Sequence, residues 1–326
     1  MDNKLTISLS PHAHSGNSVA KSMWNVVIAL VPALAVSVWV FGLDALWVMV
    51  LCLASCLFTE WAIERFHFHR PSTLGNGSAV ITALLLACNL PSILPWWMVI
   101  IGGVVAIGIG KMSFGGLGCN IWNPALVGRV FLLISFPAAM TTWPTGVSSG
   151  IDAVTGASSG VDGMTGATFL SVLNDPSASA RLNGADLLDM VLGNMNGSMG
   201  EVGTLAILVG LVWLLATRVI TWHIPVSVIG GAAFLSWALG GHPFLDICSG
   251  GLMLGAVFMA TDYVTSPFTH KGQIIFGLMI GFITIIIRRF GSYPEGMSFA
   301  ILLMNSFVPL INHYFKPRRY GERSKA

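Results

Sequence analysis

The chain has 326 residues, of which 54% are apolar and 9% are charged, and its mean hydropathy is +0.77. Soluble domains carry about 25% charged residues, so this composition excludes a soluble monomeric domain and indicates an integral membrane protein. The net charge is only +2, which gives no basis for nucleic-acid binding.

Ten apolar segments are candidates for membrane helices, because a hydrocarbon core of about 30 Å needs about 20 apolar residues per helix. The segments are 23–42, 44–63, 78–93, 95–111, 124–138, 201–218, 223–240, 246–262, 272–288 and 296–315. The third, fourth, fifth and eighth are short or broken by Gly and Pro. A long polar lead precedes the first segment and no small-residue cleavage site follows it, so we interpret it as a span and not as a signal peptide.

The basic residues predict the orientation of these segments. With a cytoplasmic N-terminus, twelve of the 16 Lys and Arg residues lie on the cytoplasmic side. Arg181, Arg288 and Arg289 lie on the outer side, and Arg129 lies within the fifth segment. Cytoplasmic loops carry the excess of Lys and Arg, so this division supports ten spans with both termini in the cytoplasm.

The segments divide into two sets of five. In the first set, "TALLLACNLPS" precedes "KMSFGGLGCNIWNPAL", and in the second, "GAVFMATDYVTSP" precedes "IRRFGSYPEGMSFAIL". In each pair, the first stretch is a helix that ends at a break with a polar residue and a proline. The second stretch contains a basic residue, then Phe-Gly, and then a turn rich in glycine and proline. Because five is an odd number, the second copy is inverted across the membrane, a plan that many transporters use. We therefore predict an all-α polytopic membrane protein with two inverted five-helix repeats.

This fold prediction gives five regions. They are a cytoplasmic segment 1–22, a first membrane repeat 23–138, an external loop 139–200, a second membrane repeat 201–315 and a basic cytoplasmic tail 316–326.

The external loop carries a doubled motif, Asp152-Ala-Val-Thr-Gly-Ala-Ser158 followed by Asp162-Gly-Met-Thr-Gly-Ala-Thr168. A hydroxyl flanked by Gly and Ala is accessible to an enzyme, but Ser and Thr are poor nucleophiles without outside activation. Taken alone, the motif also fits a solvated Gly/Ser/Thr loop, which is the more common meaning of so short a pattern.

The motif D-x-x-T-G-A-T resembles the acceptor signature of the bacterial flavin transferase, which moves FMN from FAD onto a Thr or Ser hydroxyl. The whole chain is similar to the D subunit of the Rnf electron-transport complex (the RnfD/NqrB family), and more distantly to the B subunit of the sodium-pumping NADH:quinone oxidoreductase. The similarity includes "SPHAHS", "FHFHRPSTLGNGSAVITALLLACNLP", "GGLGCNIWNPALVGRVFLL" and "ATDYVTSP".

The resemblance implies FMN bound covalently to Thr168 through a phosphoester, with Asp162, Gly166 and Ala167 as recognition elements and Ser158 as the alternative acceptor. It also allows a second, non-covalent flavin such as riboflavin between the repeats, which nothing in the sequence alone requires. The implied partners are the A, B, C, E and G subunits of the complex, a flavin transferase and the lipid bilayer. The implied location is the bacterial inner membrane, with the flavin loop outside.

Charged residues inside apolar segments are costly and are therefore functional candidates. By position they are Glu60, Glu64, Arg129 and Asp262. The first two also fit the membrane interface. Asp262 lies at a broken helix end, and it is our candidate for cation coupling.

Two other motifs keep alternative interpretations. The Gly-rich stretch 114–126 fits close backbone packing better than an anion-binding nest, since no GxGxxG or Walker pattern is present. By the family resemblance, this turn lies near the centre of the bundle, where it could line a flavin or ion site. His67 and His69 are two apart, whereas metal pairs on a helix prefer three or four, so an interfacial cluster is favoured over a metal site.

The family resemblance implies a membrane subunit of an ion-translocating ferredoxin:NAD oxidoreductase that relays electrons through covalent FMN and couples this transfer to cation transport. The chain alone carries no complete catalytic site. The competing hypotheses are a solute channel or carrier with inverted repeats and no redox cofactor, and a structural anchor for redox partners.

Overall fold

The computed structural model describes residues 18–142, 197–201, 203–291 and 295–316, and within these ranges every regular element is helical. The all-α prediction is confirmed for these residues. The main helices are α1 (Val19–Phe41), α2 (Leu43–Ala62), α3 (Ser78–Cys88), α4 (Trp96–Gly108), α5 (Pro124–Ser135), α6 (Thr204–Ala216), α7 (His223–Ala238), α8 (Leu252–Leu254), α9 (His270–Phe290) and α10 (Met297–Tyr314).

Short helical turns extend or connect several of these helices. A π-helical turn, Ile63–His67, continues α2, and a second, Gly255–Met259, continues α8. The remaining turns are Leu74–Asn76, Met112–Phe114, Pro137–Met140 and Pro243–Cys248. The eighth predicted segment is therefore broken, as its Gly content indicates.

Four helices of the described ranges are long and apolar enough to cross a membrane: Val19–Phe41, Leu43–His67, Trp96–Phe114 and His270–Phe290. Shorter apolar helices are α3, α5, α6 and α7. These helices support a multi-pass membrane protein. The count of ten spans stays a prediction.

Local signals set the helix ends. Ser18 caps α1 by accepting a hydrogen bond from the Lys21 amide at 3.2 Å. Asn123 caps α5 by accepting from the Ala125 amide at 3.1 Å, with Pro124 at the first helical position, where its missing amide hydrogen has no cost. Gly42, at a φ of 69°, separates α1 from α2.

The helices form two groups, α1–α5 and α6–α10, that repeat one packing pattern. In the first group α2 packs on α3 and α4, and α5 packs on α3 and α4. In the second group α7 packs on the α8 π-turn and α9, and α10 packs on the same π-turn and α9. Between the groups, α1 packs on α6 and α5 packs on α10.

The helices that meet between the groups run in opposite directions. Gly203, before the start of α6, lies against Val36 near the end of α1. Trp122, just before α5, donates a hydrogen bond to Ser306 in the second half of α10 at 2.8 Å.

Small residues bring the paired helices together at corresponding places in the two groups. Gly103 on α4 packs on Ser55 of α2, and Gly277 on α9 packs on Ser227 of α7. At each glycine a methyl group would overlap the facing serine hydroxyl. Small residues at membrane helix contacts let the backbones approach closely.

Candidate functional site

A buried ion pair closes one end of the first group. The Nζ atom of Lys111, which follows α4, lies 2.6 Å from Glu60 Oε2 on α2 and donates to Ser78 Oγ at the start of α3 at 2.7 Å. Lys111 is 2% exposed and Glu60 is 1% exposed. Glu64, one turn after Glu60, accepts hydrogen bonds from the Thr73 amide at 2.9 Å and from the Thr73 hydroxyl. We call this end of the bundle the Lys111 face.

A second charged cluster closes the corresponding end of the second group. Arg288, near the end of α9, donates to the backbone oxygens of Asp246 and Ser249, just before α8. Arg289 pairs with the Asp246 carboxylate at 3.1 Å, and Ser236 of α7 donates to the same carboxylate. In each group, therefore, a cation from the end of the fourth helix reaches the start of the third. We call this end the Arg288 face.

Arg129 joins the two groups. It forms an ion pair with Glu295, which precedes α10, and donates to Asn89 Oδ1 at the end of α3 at 2.6 Å. All three side chains are buried. Truncating one partner of a buried charge pair leaves an uncompensated charge and costs about 3–5 kcal/mol, so this contact opposes separation of the groups.

Residues 197–201 are buried between the helices on the Arg288 face. The Gly200 amide donates to Cys88 O at 2.6 Å, the Met199 amide donates to Leu90 O at 3.4 Å, and the Ser37 hydroxyl donates to Met199 O. The Glu201 carboxylate interacts electrostatically with Arg288, Arg129 and the Gly250 amide. The end of the loop predicted over 139–200 thus packs inside the bundle.

A cavity opens on the Lys111 face, between the groups. Its volume is about 90 Å³, which is smaller than the range of about 300–1,000 Å³ typical of ligand sites. The apolar walls come from Met23, Val26, Ile81, Leu85, Leu117, Pro124, Leu214, Val219, Ile220, Phe258 and Val264. The polar groups are those of Ser78, Thr82, Lys111, Asn120, Asn123, Thr261, Asp262 and Tyr263. We call it the Lys111 pocket.

The Gly-rich turn supplies Leu117, Asn120 and Asn123 to this pocket. Asn123 Nδ2 also donates to Met259 O at 3.2 Å, at the end of the α8 π-turn. The turn therefore lies against the broken helix of the other group.

Asp262, the predicted cation-coupling residue, falls within the described ranges and lines the Lys111 pocket. Its carboxylate accepts from Thr265 Oγ1 at 3.1 Å and from the Asn120 side chain. Thr168, Ser158, Asp162, Gly166 and Ala167 lie outside the described residues.

The remaining sequence candidates are placed as follows. His67 and His69 are exposed, and no group of three or more His, Cys, Asp or Glu residues that could hold a metal ion occurs in the part of the chain the structure describes. Cys119 is exposed, whereas Cys52, Cys56, Cys88 and Cys248 are buried free thiols. Glu60 and Glu64 are buried within the protein.

Sequence reasoning misses Lys111, Arg288, Glu201, Glu295 and Asp246 as buried polar groups. Charge counting assigns Lys111 and Arg288 to the two membrane sides from linear position alone, and their partners are far away in the sequence. A weak signal is available, since each cation lies just before the Phe-Gly of the repeated pattern.

Comparison with known proteins matches residues 6–321 to the family described as NQR2, RnfD, RnfE. The D subunit of the proton-translocating ferredoxin:NAD(+) oxidoreductase complex of Clostridium ljungdahlii is 44% identical over 333 residues, covering 98% of this chain and 97% of that protein. The D subunit of the Na(+)-translocating ferredoxin:NAD(+) oxidoreductase complex of Acetobacterium woodii is 44% identical, and the match covers 97% of this chain and 95% of that protein. The D subunit of the ion-translocating oxidoreductase complex of Citrobacter koseri is 38% identical, and the match covers 97% of this chain and 99% of that protein.

Proposed function

Because the chain belongs to the NQR2, RnfD, RnfE family, we propose that it is the membrane subunit of an ion-translocating ferredoxin:NAD oxidoreductase complex. The observation that carries the proposal is the similarity to the D subunits of such complexes over nearly the whole of both chains. On this proposal the chain works beside the other subunits in the bacterial inner membrane, and its termini lie in the cytoplasm.

We propose that FMN is attached to Thr168 by a phosphoester and relays electrons at the outer membrane face. The support is the D-x-x-T-G-A-T motif in a chain of this family, between two helical groups. Asp162, Gly166 and Ala167 are the elements that a flavin transferase recognises, and Ser158 is the alternative acceptor. The flavin ring supplies the redox chemistry, while the protein tethers and positions it.

The Lys111 pocket is our proposed site for a non-covalent flavin such as riboflavin. Its residues fit that group in chemistry, because Ile81, Leu85 and Phe258 give apolar walls for the ring system and Asn120 is a polar group for its carbonyl edge. Binding the ring system requires the cavity to widen. A flavin held there would supply one- and two-electron chemistry within the membrane. The chain's own residues bind it and exclude water from it.

We propose that the two helical groups are inverted repeats. Three observations support this: the shared packing pattern, the Gly–Ser contacts at corresponding helices, and the opposite directions of α1 and α6. Broken helices of such repeats commonly form ion sites. Asp262, after the broken α8, is the proposed cation-coupling residue.

The test of the proposed function is peptide mass spectrometry of the full chain, purified from membranes with its complex and a flavin transferase. We expect an FMN-sized adduct on the 162–170 peptide, and flavin fluorescence of the band after denaturation. Thr168→Val removes both signals, and Ser158→Ala, as the matched control, keeps them.

Two outcomes contradict this assignment. An adduct that persists in Thr168→Val moves the attachment site to Ser158. Absence of any adduct in the wild type, with a transferase shown to be active on another substrate, overturns the redox relay and leaves the carrier hypothesis in front.

A further inference from the structure

The Lys111 pocket and the 197–201 segment occupy corresponding places in the two helical groups. Beside the pocket, Lys111 follows the fourth helix of its group and reaches Ser78 at the start of the third. Beside the segment, Arg288 ends the fourth helix of its group and reaches Ser249 at the start of the third.

The other helices that enclose the pocket and the segment also correspond between the two groups. The pocket is bounded by the end of α6, at Leu214, and by the residues after α8, at Asp262. The segment is bounded by the end of α1, at Ser37, and by the residues after α3. Each place thus lies between the first and third helices of both groups, but the first is open and the second is filled by the chain itself.

The segment is held as a ligand would be held. Its Met199 side chain is fully buried and supplies an apolar body. Its backbone bonds to Cys88 and Leu90, and its Glu201 carboxylate, 2% exposed, lies in the field of two arginines.

We propose that residues 197–201 are an intramolecular ligand, which we call the plug, filling a second site equivalent to the Lys111 pocket. The Glu201 carboxylate takes the position of an oxygen acceptor beside the cation of that site. The proposal rests on the inverted-repeat relation and on no assumption about which cofactor the chain binds.

The plug also indicates what the open pocket accepts. Arg288 and Lys111 are the corresponding cations, and Lys111 is already paired with the Glu60 carboxylate of its own group. The part of the plug that a molecule in the Lys111 pocket would match is therefore its apolar body, the buried Met199 side chain.

Cys88 provides a direct readout of plug release, because it is fully buried beneath Gly200. A methyl group added to Gly200 would lie 2.7 Å from both Cys88 Cβ and Leu254 Cδ2, so Gly200→Ala displaces the plug by steric overlap. Glu201→Gln weakens it instead by removing charge. Gly75→Ala is the matched control, since nothing lies within 4 Å of the added methyl group.

The experiment measures alkylation of each cysteine by N-ethylmaleimide in membranes containing the full chain, quantified by peptide mass spectrometry. A local opening of the plug can expose Cys88 to the reagent without global unfolding of the protein. We therefore expect Glu201→Gln and Gly200→Ala to raise the alkylation rate of Cys88 at least about tenfold. Cys52 and Cys56, also fully buried but part of α2, keep the wild-type rate. Gly75→Ala leaves all three rates unchanged.

An unchanged Cys88 rate in both plug variants overturns the proposal. So does equal acceleration of Cys52, Cys56 and Cys88, because the segment would then stabilise the whole bundle and would not fill a separate site. Neither result depends on a bound flavin, so each is distinct from failure of the proposed redox function.

Discussion

Arg129 on α5 is paired with Glu295, two residues before α10, and both side chains are buried where the two helical groups meet. The pair joins residues from distant parts of the chain, and the guanidinium also donates a hydrogen bond to Asn89 at the end of α3. Its burial makes the contact between the groups dependent on matched charges.

The first prediction follows from that pair. Arg129→Gln or Glu295→Gln alone destabilises the protein by about 3–5 kcal/mol, because one buried charge is left without its partner. The double variant loses less stability than the sum of the losses in the two single variants. The measurement is thermal unfolding in detergent, with exposed Arg65→Gln as the control. Additive losses would show that the two charges do not interact.

The second prediction concerns the glycines between paired helices. Gly103→Ala and Gly277→Ala each introduce a methyl group into a serine side chain and destabilise by about 1–3 kcal/mol through overpacking. In Gly230→Ala on α7, the added methyl group meets no atom within 4 Å. Alanine has a higher helix propensity than glycine, so this variant is as stable as the wild type or more stable. Thermal midpoints of the three variants check this. Equal effects at all three positions would contradict the close approach of the helices.

The third prediction concerns the Lys111 pocket. Leu85→Trp places a large side chain in the cavity, so we expect the flavin released by denaturation to fall at least about tenfold, a loss of at least about 1.4 kcal/mol of binding free energy. Val80→Trp, on the same helix but outside the lining, is the control. The released flavin is quantified by chromatography, separately from protein-bound FMN. Full retention in Leu85→Trp would place the non-covalent flavin elsewhere.

The fourth prediction concerns Asp262. Asp262→Asn removes the only formal negative charge among the residues that the structure places around the pocket, so cation uptake coupled to ferredoxin oxidation falls while electron transfer to NAD persists. Sodium or proton uptake into inverted vesicles is measured beside NADH formation. Asp44→Asn, exposed in the first turn of α2, serves as the control. Undiminished uptake in Asp262→Asn would remove Asp262 from the coupling path.

Helix positions are predictable because apolar runs long enough for a membrane follow directly from the residues. The breaks near Asn89 and Asp262 are predictable from Pro and Gly. The charge clusters are not, because Lys111 and Arg288 lie at segment ends, where solvent exposure is the ordinary expectation. Their burial depends on carboxylates and carbonyls brought to them by distant segments.

Glu201 shows the same limit. Its position just before α6 resembles the end of an external loop, and only the three-dimensional packing of α1 and α3 around 197–201 makes that stretch part of the interior. The pattern of apolar residues along the chain does not identify a polar segment that folds into the interior of the bundle.

The Arg129–Glu295 pair has a consequence for biosynthesis. Chains are made at about 5–20 residues per second, so Arg129 is complete roughly ten seconds or more before Glu295 exists. An arginine at the centre of a membrane helix costs about 2.5–3.5 kcal/mol on insertion scales. During that interval Arg129 lacks its ion-pair partner Glu295. The ion pair that joins the two helical groups therefore forms only when translation is nearly finished.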